Sequence, residues 1–203
     1  MSTPDKPDTE PFPPTITFPE EGKETGVATL FLGSGTPEAL VQVWNIEETY
    51  SLGGGKVSAN GRWAFSFSGA QYPGEHGIKA PQEVKGEMSD WSDVRSYTVV
   101  LRPEIEVPVV FEPKEGAQVN TTPFFSGNVT KIGGFVSIFN LDTGKEIAQA
   151  KVDNLRWSAQ VTEPLPLGLC RTSAIHNIVG TVSDWSRVRT FTVTAEGKGK
   201  GKT

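Results

Sequence analysis

A single cysteine and two histidines among 203 residues leave little for covalent or metal chemistry. Cys170 cannot form a disulfide within the chain, so stability must come from packing. With His76 and His176 it makes too small a donor set for a structural zinc site. No Gly-x-Ser-x-Gly or His-Glu-x-x-His signature occurs, so no catalytic residues, no metal and no cofactor are expected. Positive charge is also scarce. Lys and Arg number 19 against 24 Asp and Glu, a net charge of −5, which argues against nucleic acid as a partner. No apolar run is long enough to span a bilayer, and Met1 to Asp8 hold no apolar segment of the secretory type. The expected location is extracellular or at a cell surface, by a leaderless route or as part of a larger chain, with the cytoplasm left open.

What the chain has is turns, aromatics and a repeat. The 22 Gly, 15 Pro, 11 Phe and 5 Trp describe short apolar strands between many turns. Gly61-Arg62-Trp63-Ala64-Phe65 returns as Leu155-Arg156-Trp157-Ser158-Ala159, an offset of 157 − 63 = 94. The same offset carries Ser89-Asp90-Trp91-Ser92-Asp93-Val94-Arg95 onto Ser183-Asp184-Trp185-Ser186-Arg187-Val188-Arg189. Between Val41 and Val57 the offset becomes 95, because one residue is gained in one turn and lost in another. Length changes confined to turns are what two copies of one β module predict.

Ile16 and Phe18 alternate with threonines, Val41 and Val43 with polar partners, and Trp63-Phe65-Phe67 with Ala64 and Ser66. This period of two marks strands with one face buried. About seven short strands per module, with turn signals every ten or so residues, predict an all-β antiparallel sandwich of two sheets. The expected divisions are a disordered leader over 1–14, module 1 over 15–101, a short stiff linker over 102–107, module 2 over 108–194 and a flexible basic tail over 195–203. Residues 1–14 carry five prolines and four charges, and Pro103 and Pro108 bracket the linker.

The closing pattern Gly-x-x-Ser-x-Trp-Ser-x-x-Arg-x-[Tyr/Phe]-Thr-Val, at Gly86 to Val99 and Gly180 to Val193, together with the Asn60-Gly61-Arg62-Trp63 corner, resembles bacterial immunoglobulin-like repeats of large surface and secreted proteins. The resemblance covers most of residues 15 to 194 and implies two tandem immunoglobulin-like β-sandwiches. It also implies a spacer or binding role without a shared active site. Ser-Asp-Trp-Ser matches half of the tryptophan box of cytokine receptors, which suggests a cation–π contact from Arg95 or Arg189.

Trp63, Trp91, Trp157 and Trp185 read as core residues because they recur at equivalent positions. Val94 and Tyr97 both read as core-facing, yet they are three apart, which predicts a bulge between Asp93 and Ser96. Trp44, with Tyr50 or Tyr72, is the candidate ligand-binding platform, since an exposed aromatic pair would stack on a sugar. Cys170 and His176 fall six apart on one strand face, about 20 Å at ~3.3 Å per residue, too far for a nucleophile and its base. Loop carboxylates such as Asp90, Asp142 and Asp184 would suit calcium between modules, but fit no calcium-loop spacing. The resulting reading is a non-catalytic binding or adhesion protein, with a carbohydrate or protein ligand on another surface contacted through end loops. A leaderless secreted effector and a structural spacer are the alternatives.

Overall fold

The computed structural model describes residues 11–101 and 104–195. The first ten residues of the expected leader, linker residues 102 and 103, and the tail from 196 onward lie outside the described residues. Strand follows turn throughout, as the period-two pattern requires. Module 1 holds β1 Thr15–Phe18, β2 Glu24–Gly26, β3 Leu30–Ser34, β4 Leu40–Asn45, β5 Ser51–Lys56, β6 Arg62–Ser66, β7 Gly74–Lys79, β8 Gln82–Val84, β9 Glu87–Met88 and β10 Arg95–Val100. Module 2 holds β11 Val109–Glu112, β12 Gln118–Val119, β13 Phe124–Asn128, β14 Phe135–Asn140, β15 Lys145–Lys151, β16 Arg156–Gln160, β17 Gly168–Ile178, β18 Thr181–Val182 and β19 Arg189–Val193.

Each module is a small sheet facing a larger one. The small sheets run β1-β3-β6 and β11-β13-β16; the larger ones run β2-β10-β7-β4-β8-β9 and β12-β19-β17-β14-β15. The sheets are antiparallel except at one place per module. There β2 lies parallel to β10, and β12 to β19, because the chain leaves the small sheet after its first strand and crosses to the edge of the larger one.

Between the sheets lie two cores built from the same positions. Phe31, Val41, Val43, Trp63, Ala80 and Tyr97 fill module 1; Phe125, Val136, Ile138, Trp157, Ala174 and Phe191 fill module 2. Burying one tryptophan contributes about 4–6 kcal/mol at ~25 cal/mol per Å² over ~150–250 Å². Trp63 Nε1 donates to Ser34 O at 3.1 Å and Trp157 Nε1 to Asn128 O at 3.2 Å, so neither indole leaves a buried donor unmet. The ring needs a neighbour without a side chain. A Cβ on Gly33 would stand 2.2 Å from the Trp63 ring and 2.0 Å from Thr15 O, and one on Gly127 would stand 2.6 Å from Trp157 and 1.8 Å from Val109 O.

Several expectations need correction. Trp91 and Trp185 are outside both cores: Trp91 is 37% exposed, and Trp185 packs in a separate cluster outside the sandwich. No bulge follows Asp93. Val94 is exposed and precedes β10, whose register from Arg95↔Ile78 to Val99↔Gly74 is unbroken. The cation over Trp91 is Lys79, 4.6 Å from the ring centroid, while Arg95 and Arg189 reach Ile16 O and Val110 O instead. Residues 11–14, read as leader, lie against module 1: Pro14 is buried, and Gln82 Nε2 donates to Phe12 O.

Candidate functional site

β17 departs from strand alternation. Cys170, Arg171, Thr172, Ser173 and Ala174 are buried in succession, whereas in the equivalent strand β7 the residues from Gly74 to Lys79 are exposed or half-buried apart from Ile78. A strand buried on both faces is covered on both sides. One face of β17 looks into the core of module 2; on the other, Arg171 is covered by module 1 and Ser173 Oγ donates to Ser186 O of module 2 itself at 2.6 Å.

The cover is the outer face of module 1's small sheet. Phe18, Leu30, Leu32 and Ala64 from module 1 form one cluster with Leu141, Trp185 and Val188 from module 2. Phe139 braces the Trp185 ring edge-on at 5.3 Å between centroids. Beside this apolar patch the side chains of Arg171 and Asp142 are only 4% and 8% exposed. The Arg171 guanidinium pairs with the Asp142 carboxylate and also crosses to module 1. It donates to Lys56 O at 3.1 Å, Ser58 Oγ at 3.0 Å and Arg62 O at 2.7 Å. Val188 N donates to Ser66 Oγ at 2.9 Å, and Asn60 Nδ2 to Asp142 O at 3.3 Å. A planar fork with five donors suits such a seam, since two donors hold the carboxylate while the others reach peptide carbonyls. The carboxylate at the module seam is therefore neutralised by an arginine. Among the described residues no cluster of three His, Cys, Asp or Glu side chains is placed to hold a metal.

The same surface on module 1 is open. Ile46 stands where Leu141 stands, since Ile46 N bonds Gly77 O as Leu141 N bonds Arg171 O. Trp91 and Val94 occupy the positions of Trp185 and Val188, and Gly77 replaces Arg171. Ile46, Trp91 and Val94 are 42%, 37% and 44% exposed. Lys79 stands over the Trp91 ring and pairs with Glu48. Next to Ile46 a groove of about 460 Å³ is lined by Gly22, Glu75, His76, Gly77 and Ser96.

Trp44 lies on this face. It is half-buried on β4, registered opposite Lys79 of β7 and Ser51 of β5. Tyr50 is exposed at the β4–β5 turn, where Asn45 Oδ1 accepts from the Thr49 and Tyr50 amides at 3.0 Å each. Tyr72 is 85% exposed in the loop before β7, and its carbonyl is bonded to His76 Nε2 at 2.8 Å. Tyr97, beneath the groove, stacks on His76 at 5.6 Å. Burial pushes its phenol up to about 12, a hydrogen bond from Gln71 opposing and the nearby Tyr50 adding to the rise. The sequence places Trp44 and Tyr50 as aromatics but hides Trp91 and Val94, because repetition of a tryptophan suggests a core.

Cys170 and His176 keep separate company. Asn140 Nδ2 contacts Cys170 Sγ at 3.5 Å, while His176 Nε2 bonds Gly133 O at 2.8 Å. Burial, then the nearby Asp142 charge, pushes the Cys170 thiol up to about 12 against the opposing Arg171. A thiol held protonated is a poor nucleophile.

Two facing sheets, a first strand that switches sheets, and a tryptophan buried between them decide the fold. The modules are immunoglobulin-like. The chain matches no protein-family model and no curated protein. Among solved structures it is similar to a BSP domain of a biofilm-associated protein (18% identity, 91% of this chain, TM-score 0.36), of which it spans 30%. It is also similar to the fibronectin(III)-like modules of Clostridium thermocellum CbhA (15% identity, 94% of this chain and 99% of that one, TM-score 0.36). A third likeness is to the FN1-FN3 domains of chicken CNTN1 (11% identity, 91% of this chain and 69% of that one, TM-score 0.31). Among the described residues no helix is long and apolar enough to cross a membrane.

Proposed function

We propose that this chain is a non-catalytic binding or adhesion unit, working outside the cell or at its surface, in which module 2 serves as a rigid base and module 1 presents the contact surface. The observation that carries the reading is the asymmetry of equivalent faces. On module 2 Leu141, Trp185 and Val188 pack against module 1, and on module 1 their counterparts Ile46, Trp91 and Val94 stay exposed beside the half-buried Trp44. An exposed aromatic face beside a groove is a recognition surface for a sugar ring or a protein. The Arg171 seam supports the rigid-base part, because it fixes one module against the other and lowers the entropy lost when a ligand docks. A purely structural spacer needs the rigid seam but no open aromatic face. The reaction alternative has no support in Cys170 and His176, which face different partners.

A glycan array probed with the intact chain and with Trp44→Ala, followed by capture from surface extracts, tests the reading. Binding that is lost in Trp44→Ala, with an unchanged melting curve, is the expected result. Absence of any binding, or binding indifferent to Trp44, Tyr50 and Trp91 substitutions together, leaves the spacer and overturns the proposal.

A further inference from the structure

The seam inside this chain is a worked example of how its open face can be covered. We infer that the Ile46–Trp91–Val94 face docks onto the outer face of the small sheet of another immunoglobulin-like module, one that carries aliphatic residues at the positions of Leu30, Leu32 and Ala64. The inference rests on the reading of this face as the binding surface and names its partner.

Three observations carry it. Module 2 packs Leu141, buried, with Trp185 and Val188, half-buried, on module 1, and the counterparts Ile46, Trp91 and Val94 are all apolar and all exposed. The contact is heterologous, with different patches on its two sides, so the same contact is able to repeat from one module to the next. The receiving side is selective. The positions of Phe18, Leu30, Leu32 and Ala64 in module 1 are Glu112, Phe124, Ser126 and Ser158 in module 2, so three of the four are polar.

Neither receiving face of a second copy therefore suits. Its module 1 face is filled by its own module 2, and its module 2 face is polar, as expected of the terminal unit of a stack. The partner is a module from elsewhere with an apolar face. Gly77 in place of Arg171 removes the buried fork, so this contact relies on apolar packing and is weaker than the internal seam.

The test rebuilds the missing receiver on the chain itself. Glu112→Phe, Ser126→Leu and Ser158→Ala together give module 2 the residues of module 1, with Phe124 kept in the Leu30 position. Analytical ultracentrifugation of this triple variant is expected to show end-to-end chains whose weight-average mass at least doubles as concentration rises. Adding Trp91→Glu is expected to return it to the mass of one chain, while leaving circular dichroism and melting unchanged. A folded triple variant that stays monomeric, or that associates equally with Trp91→Glu, overturns the inference. Trp44-dependent capture of a ligand by the unmodified chain is scored separately, so the binding role and the identity of the partner stand or fall apart.

Discussion

Arg171→Ala is the substitution that most sharply separates a coupled pair of modules from two beads. The side chain is 4% exposed and the Asp142 carboxylate it pairs with is 8% exposed, so removing the cation strands a charge where water reaches poorly. It also removes the guanidinium donors that cross to Lys56 O, Ser58 Oγ and Arg62 O. Breaking a buried pair from one side costs about 3–5 kcal/mol, against ~0–1 kcal/mol for a pair at the surface. Urea unfolding followed by tryptophan fluorescence and circular dichroism is expected to show the loss, with the single transition of the parent splitting as module 2 is released from module 1. The cost is expected to persist in 1 M salt, since a buried pair is little screened. Replacing both partners, as Arg171→Met with Asp142→Leu, is expected to cost less than Arg171→Ala alone, because no charge is left uncompensated. A loss below about 1 kcal/mol for Arg171→Ala, or one that vanishes in salt, would refute the claim that this pair locks the seam.

Other perturbations probe the cores. Gly33→Ala and Gly127→Ala each drive a methyl into a strand carbonyl and an indole ring, and each is expected to lower the urea midpoint sharply and shift tryptophan emission; a near-neutral result would mean that the rings move freely. The raised Cys170 and Tyr97 groups, both pushed up to about 12 from ordinary values of 9.0 and 10.0, keep their protons in the folded state. The unfolded chain releases those protons first, so the stability they contribute is complete below about pH 9 and falls as pH climbs toward 12. The slope approaches about 1.4 kcal/mol per pH unit for each group. Urea midpoints measured from pH 8 to 11 are expected to fall less steeply in Tyr97→Phe, and an unchanged slope would count against the burial of that phenol. The Cys170 thiol is expected to resist a thiol reagent at pH 8 until urea is added; prompt labelling of the folded chain would contradict its burial.

The fold was legible because its signals are local. Alternation at Ile16-Thr17-Phe18 and Val41-Gln42-Val43 depends only on neighbours in sequence, the echo of Trp63 in Trp157 only on comparing the chain with itself, and each falls on a strand. The seam was not legible, because Arg171 has no counterpart in the repeat and Asp142 reads as one loop carboxylate among many. The repeat itself misled at Trp91 and Trp185. Equivalent residues in two modules share a place in the fold, but they share an environment only if each module has the same neighbours.

That distinction also says where function is found in a duplicated chain. Selection for packing within a module keeps both copies alike, as at Trp63 and Trp157, each satisfied by a carbonyl of its own small sheet. Selection for contact between modules acts on one copy of each face, as at Arg171 opposite Gly77, or Leu32 and Ala64 opposite Ser126 and Ser158. Where one copy has been spent on an internal contact and the other still holds the same apolar residues in the open, as Trp91 and Val94 do, burial inside the chain does not explain those residues. An exposed tryptophan beside two exposed aliphatics carries a standing hydrophobic cost, which a partner of the right shape removes.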